Sequence, residues 1–314
     1  MPSDRQRVLA LATGMLLMAM MPVSGQVIAS PDREVESTPV QLPRSEAFAV
    51  PGERMGEDYW IEVAQPAQPA PEQGYRVVYV LDGNARMPLL REARETLTRQ
   101  GPEGGGSPLL IVGIGYPGVE RFDIKRRAED FLPAHGSVDR DASAEGGAAG
   151  FLAFIERRLK PLIAGRYPVD ASRQALFGHS FGGLFTLYVM RQCPQCFRDY
   201  IAISPSLWWQ DGELMTQLRD GAADSRWCSD LSERRLLLGV GGEEQSPGPA
   251  DREPERDILR QRRAMVDNTI DLGHLLQSGC RSLDTTLEVY PGEDHGSVLW
   301  PASRSAIERL SVLE

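Results

Sequence analysis

Five residues, Gly178-His179-Ser180-Phe181-Gly182, constrain this chain more than any others because of what stands on either side of them. Before them, Arg173 to Phe177 has the apolar character of a short strand; after them, Gly183 to Met190 has that of a helix. A strand that becomes a helix over so few residues must bend sharply, and a Cβ at either flanking glycine would clash in the bend. The serine hydroxyl is then pushed clear of the sheet, with a helix N-terminus behind it that favours negative charge.

The rest of the chain repeats the same alternation. Strands are predicted at Ala47–Val50, Tyr59–Val63, Arg76–Leu81, Leu109–Gly115, Ala175–Gly178, Tyr200–Ser204, Arg235–Val240 and Thr285–Tyr290. Helices are predicted at Pro88–Gln100, Phe151–Ala164, Phe181–Arg191, Arg252–Gln277 and Pro301–Leu313. The three prolines of Gln65–Gly74 suggest a hairpin loop between the second and third strands. Continuous apolar strands alternating with helices predict a mostly parallel sheet covered on both faces. No break in this pattern divides it, so a single domain is expected over residues 26–314.

Gly113-Ile114-Gly115-Tyr116-Pro117-Gly118 mimics a dinucleotide fingerprint. That site needs a helix to begin there with free N–H groups. Pro117 removes one donor and the next residues, Val119 to Asp123, are irregular, so no nucleotide site is expected here; no metal or other cofactor is expected either.

The net charge of −10 argues against nucleic acid and against anionic lipid surfaces. At the N-terminus, Arg5 and Arg7 precede the apolar run Val8–Met21, and Val23-Ser24-Gly25 offers small residues for cleavage. The run is short of the roughly 20 residues that a bilayer span requires. Residues 1–25 therefore read as a cleaved signal peptide, which implies an exported, periplasmic protein without stable membrane association. Four cysteines in an exported chain suggest two disulfides among three possible connectivities. Cys193-Pro194-Gln195-Cys196 suits a clip at a helix end. Cys228 and Cys280 precede strands that would start at the same edge of a parallel sheet.

A serine hydroxyl needs a base, and histidine is the usual one. Of the four histidines, His295 falls just beyond the last strand, where the base of such a fold belongs. His179 sits inside the turn and suits packing or gating; His135 and His274 suit surface or structural positions. An acid to orient the imidazole should follow the preceding strand, and Glu243 and Glu244 both stand there. Glu244 is the first choice, with a Ser–His dyad as the alternative. Oxyanion donors are expected at the N–H of Phe181 and in the loop holding Gly83 and Asn84.

Seven segments, in order, carry a family resemblance over most of the mature chain. They are Tyr79–Asn84, Gly113–Tyr116, Phe122 to Asp130 with the pair Arg126-Arg127, Gly147–Ile155, Gly178–Gly183, Ser204–Trp209 and Glu293–Ser297. Together they resemble the esterase family of α/β-hydrolase fold that includes the periplasmic enterobactin (trilactone siderophore) esterases of Gram-negative bacteria. Phe131-Leu132-Pro133 departs from the family's commoner Tyr-Thr-Pro, and the loop Gly136–Gly146 is longer and more polar than usual. The resemblance implies a serine esterase acting on a catecholate siderophore, ferric or free. The alternative is an exported carboxylesterase or acyltransferase for simpler esters. Arg121, Lys125, Arg126 and Arg127 form a basic cluster suited to catecholate oxygens, and Trp208 and Trp209 are suited to stacking on catechol rings.

Overall fold

The computed structural model describes residues 37–52, 57–98, 107–133, 147–247 and 254–311. Residues 1–25, expected as a signal peptide, together with His135 and the Gly136–Gly146 loop, lie outside them. The chain divides into Met1–Gln41, of which the described residues 37–41 are exposed and without regular structure, and one compact unit, Leu42–Glu314.

In that unit eight described strands make one sheet. They are β1 (Ser45–Val50), β2 (Tyr59–Ala64), β3 (Tyr75–Leu81), β4 (Leu109–Gly115), β5 (Val169–His179), β6 (Asp199–Ile203), β7 (Arg235–Gly241) and β8 (Asp284–Tyr290). Their spatial order is β1-β2-β4-β3-β5-β6-β7-β8. β2 pairs antiparallel with β1 and β4, and all other pairings are parallel. The fold is thus α/β, of the α/β-hydrolase type.

The helices before the central bend are α1 (Gly83–Thr98), α2 (Ile124–Phe131), α3 (Gly147–Phe154) and α4 (Lys160–Arg166), with a π-helical stretch at Ile155–Leu159 joining the last two. After it come α5 (Phe181–Gln192), α6 (Glu213–Ala223), α7 (Ser225–Asp230), α8 (Pro254–Arg263), α9 (Met265–Gly279) and α10 (Leu299–Ser311).

Alternation along β3 shows why both faces need cover. Val77, Tyr79 and Leu81 join the core packed by Phe151, Phe154, Leu184 and Phe185, whereas Val78 and Val80 join Met87, Leu90, Ala302 and Ile307. Every residue of β3 and β4 is buried, as the centre of a two-layered sheet demands.

Two expectations are corrected. Residues 65–74 do not close a hairpin: β2 pairs with β4, and the loop carries the chain past β4 so that the fully buried β3 enters beside it. Val119 to Asp123 are irregular, as expected, and Asp123 caps α2 by accepting the Arg126 N–H at 3.0 Å. The long late helix is two helices, broken at Ala264, whose φ of 44° is left-handed. The four cysteines stand as two close pairs, with Cα–Cα distances of 5.4 Å for Cys193–Cys196 and 5.0 Å for Cys228–Cys280. Among the described residues no helix is long and apolar enough to cross a membrane.

Candidate active site

The C-terminal ends of the parallel strands converge on one cleft, where open α/β sheets bind ligands. Three residues just beyond these ends adopt left-handed backbone: Asp82 after β3 (φ 55°), Ser180 after β5 (φ 60°) and Ser204 after β6 (φ 45°). Backbone strain of this kind collects at functional sites and persists only where surroundings hold it. At Ser180 they do: its N–H donates to Ile203 O at 3.0 Å, and its carbonyl accepts from Leu184 and Ser206. A Cβ on Gly178 would come within 2.1 Å of Gly182 O, so the bend requires glycine there.

Ser180, Phe181, Ser206, Trp208, Glu244, Arg260, Arg263, Met265 and His295 line a cleft of about 290 Å³. Glu244 is buried and fully engaged. Its Oε1 accepts from the Ser204 hydroxyl and from the Gly241 N–H at 2.8 Å; its Oε2 faces His295 Nδ1 at 2.6 Å. A carboxylate only accepts, so Nδ1 carries the proton and Nε2 is left with its lone pair. Glu243, one residue earlier, is exposed, its N–H bonded to Glu293 O. Of the two candidate acids, the structure brings Glu244 to His295.

The Ser180 hydroxyl bonds to the Ser206 hydroxyl at 3.4 Å, and among the described residues no hydrogen bond joins it to the His295 ring. Such bonds are often formed only with substrate in place. The serine lies at the N-terminus of α5, with the Phe181 N–H beside it. Gly182 packs on the β3 turn, where a Cβ would lie 3.4 Å from Leu81 Cβ and 3.8 Å from Asp82 Oδ2. That contact sets the start of α1, with Gly83 and Asn84, next to the serine bend. The Asn84 side chain is occupied elsewhere: it accepts from the Tyr116 N–H at 2.8 Å and donates to Tyr116 O and Val119 O.

His179 does more than pack. Its Nε2 lies 2.9 Å from the His295 carbonyl, which can only accept, so Nε2 carries the proton. Nδ1 then receives Arg86 Nη2 at 3.2 Å. Burial, with the nearby His295 and Arg86, holds the His179 pKa well below 6.5, so the ring is neutral. Burial also lowers Arg86 to about 10.

Two residues of the basic cluster, Arg126 and Arg127 of α2, are turned inward, contrary to expectation. Arg127 is buried and grips Asp82 with two bonds, of 2.7 and 2.9 Å. Arg126 donates to Asp58 O at 2.7 Å and stacks over Tyr59 and Tyr116. Arg121 is exposed beside Phe122, and Lys125 pairs with Glu129. None of the four lines the cleft. Of the tryptophans, Trp208 does, while Trp209 packs against the core and Phe181. Two arginines of the helix expected at Arg252–Gln277, Arg260 and Arg263, form part of the cleft wall. Ser204 and Ser206 were also missed, although Ser204-Pro205-Ser206 directly follows an apolar strand, at the edge where such a sheet binds.

The arrangement supplies a hydroxyl at a helix N-terminus, an imidazole with its Nε2 lone pair free, and a buried carboxylate behind it. It can move a proton from an alcohol to a leaving group, as acyl transfer requires.

The Esterase family model matches residues 52–272. A siderophore triacetylfusarinine C esterase of Aspergillus fumigatus is 35% identical over 273 residues, 83% of this chain and 91% of that protein. A siderophore enterobactin esterase of Emericella nidulans is 34% identical, over 85% of this chain and 93% of that one. The solved structure of the siderophore hydrolase EstA from Aspergillus nidulans superposes with a TM-score of 0.74 at 29% identity, covering 88% of this chain and 97% of EstA. The chain belongs to the Esterase family and is a carboxylic ester hydrolase of the α/β-hydrolase type.

Proposed function

We propose that this protein is a serine esterase that opens the ester bonds of a siderophore, catecholate trilactones being the class of choice. The buried Glu244 carboxylate held against His295 Nδ1, in the cleft that Ser180 lines, is the observation that carries the mechanism. The names of the two relatives above support a siderophore as substrate, and that of the Emericella nidulans relative, an enterobactin esterase, supports the catecholate class.

In the first step the Ser180 hydroxyl turns from Ser206 toward His295. Nε2 takes its proton as Oγ adds to the ester carbonyl, and the carbonyl oxygen becomes an oxyanion facing the Phe181 N–H and the backbone of Gly83 and Asn84. The imidazolium, steadied by Glu244, protonates the departing alkoxide as the C–O bond breaks. Water then attacks the acyl-enzyme by the same route in reverse, releasing a carboxylic acid and restoring Ser180. Export to an oxidising compartment belongs to the same proposal, with the two cysteine pairs as disulfides.

Purified protein should hydrolyse ferric or free catecholate trilactone with a higher kcat/KM than a short acyl ester, as read by chromatography of the products. Ser180→Ala should lose on the order of 10⁶ in kcat while keeping the fold. A tenth of wild-type turnover in that variant would reject the mechanism, and preference for the short ester would reject the substrate class.

A further inference from the structure

Arg263 closes α8 at the rim of the cleft, and its guanidinium carbon stands 4.5 Å over the Trp208 ring. A guanidinium stacked on an indole face keeps its in-plane donors for a planar acceptor alongside. One of these, Nε, is buried with no hydrogen-bond partner among the described residues. One turn earlier on the same helix, Arg260 lines the same cleft and donates to Ser246 O at 3.3 Å through Nη1. Hydrogen bonds from the Ser297 and Gly296 N–H groups hold the exposed Asp294 carboxyl below its ordinary pKa, and the charge of Arg260 adds to this. The carboxylate that shares the cleft, Glu244, has both oxygens engaged by Ser204, Gly241 and His295, so it does not compete for Arg263.

We propose that Trp208, Arg260 and Arg263 form a subsite for a planar aryl oxyanion, such as one catecholate arm of the substrate, and that this subsite selects anionic over neutral esters. The proposal rests on the reading of Ser180 and His295 as the reacting pair, since both line the same cleft. Size supports a single arm. A cleft of about 290 Å³ is at the small end of ligand sites, which span about 300–1,000 Å³. Charge supports an anion read locally, because the chain as a whole carries −10 and repels one at long range. The break at Ala264 gives the subsite its shape: it ends α8 at Arg263 and starts α9 at Met265, which lines the cleft beside it.

The test separates binding from turnover. Ser180→Ala protein is titrated with 2,3-dihydroxybenzoate, a planar aryl anion, and with 2,3-dihydroxybenzamide, its neutral counterpart, followed by tryptophan fluorescence. The anion should bind more tightly than the amide. Adding Arg263→Gln should weaken the anion about tenfold or more, as loss of a charge-assisted hydrogen bond does, and the amide by less than about twofold. Arg263→Lys, which keeps the charge but not the planar fork, should fall between. Raising the salt from 0.1 to 1 M should weaken the anion only. Equal losses for anion and amide, or anion binding unchanged by both Arg263 variants, would overturn the subsite. Since these titrations involve no hydrolysis, failure of the Ser180 mechanism and failure of the subsite show up in different measurements.

Discussion

Glu244 offers its two oxygens to three different groups, and only one of those bonds, that to His295 Nδ1, bears on chemistry. Glu244→Gln keeps the shape but removes the charge that steadies an imidazolium, and is expected to cost on the order of 10³ or more in kcat. Glu243→Gln, on an exposed side chain, should leave kcat within about twofold. Steady-state kinetics of both variants decides between triad and dyad, since a Glu244 loss under threefold would leave the dyad. His179 acts one step further back, holding the His295 carbonyl while Arg86 keeps its Nδ1 an acceptor. His179→Leu should lower kcat with little change in KM, because it moves the base and not the binding wall. It should also alter the pH dependence of stability. A buried histidine with a depressed pKa stays neutral in the fold while the unfolded chain protonates below 6.5, so stability falls as pH drops through that value. Denaturation midpoints at pH 7.5 and 5 should show a smaller acid loss in the leucine variant than in wild type.

Among the elements, α2 has the role furthest from its sequence. Read along the chain, Arg126-Arg127 is a basic patch; in the fold, Arg127 ties α2 to the buried Asp82 at the end of β3. Arg127→Gln would leave that carboxylate without its charge partner, a change that costs roughly 3–5 kcal/mol when a buried pair is broken. Lys125→Gln, on an exposed pair, should cost under about 1 kcal/mol. Thermal denaturation of the two variants compares them directly, and equal melting temperatures would return Arg127 to the surface. The elements that were legible are those with a local signal. β3 and β4 are unbroken apolar runs, and Ser180 and His295 are fixed by the strands that precede them. Pro88, a residue suited to a helix start, hid the true start of α1 at Gly83. Ala264 carries no breaker signature, so α8 and α9 read as one helix. Arg260 and Arg263 were illegible as cleft residues because only the tertiary packing of α8 brings them to Trp208.

Across the whole molecule, the reacting groups and the cysteine pairs occupy opposite edges of the sheet. The cleft gathers residues that follow strands: Ser180 after β5, Glu244 after β7, His295 after β8. Cys228 precedes β7 and Cys280 precedes β8, so that pair ties the loops leading into the strands, away from the chemistry. Stability and turnover should therefore separate. A link across 52 residues restricts the unfolded chain far more than one across 3, and the chain-entropy relation gives about 4 kcal/mol for the first and about 1.5 kcal/mol for the second. Under denaturing conditions protein recovered from an oxidising compartment should show no free thiol before reduction and all four cysteines after it. Replacing Cys228 and Cys280 together by alanine should lower unfolding free energy by close to the larger figure. Replacing Cys193 and Cys196 should cost markedly less, although that pair lies at the end of α5, the helix that begins at Ser180. In both double variants kcat at 25 °C should stay within about twofold of wild type, because distant sites act independently. A large loss of turnover in the Cys228/Cys280 variant, at a temperature where it remains folded, would mean that the two edges of the sheet are coupled.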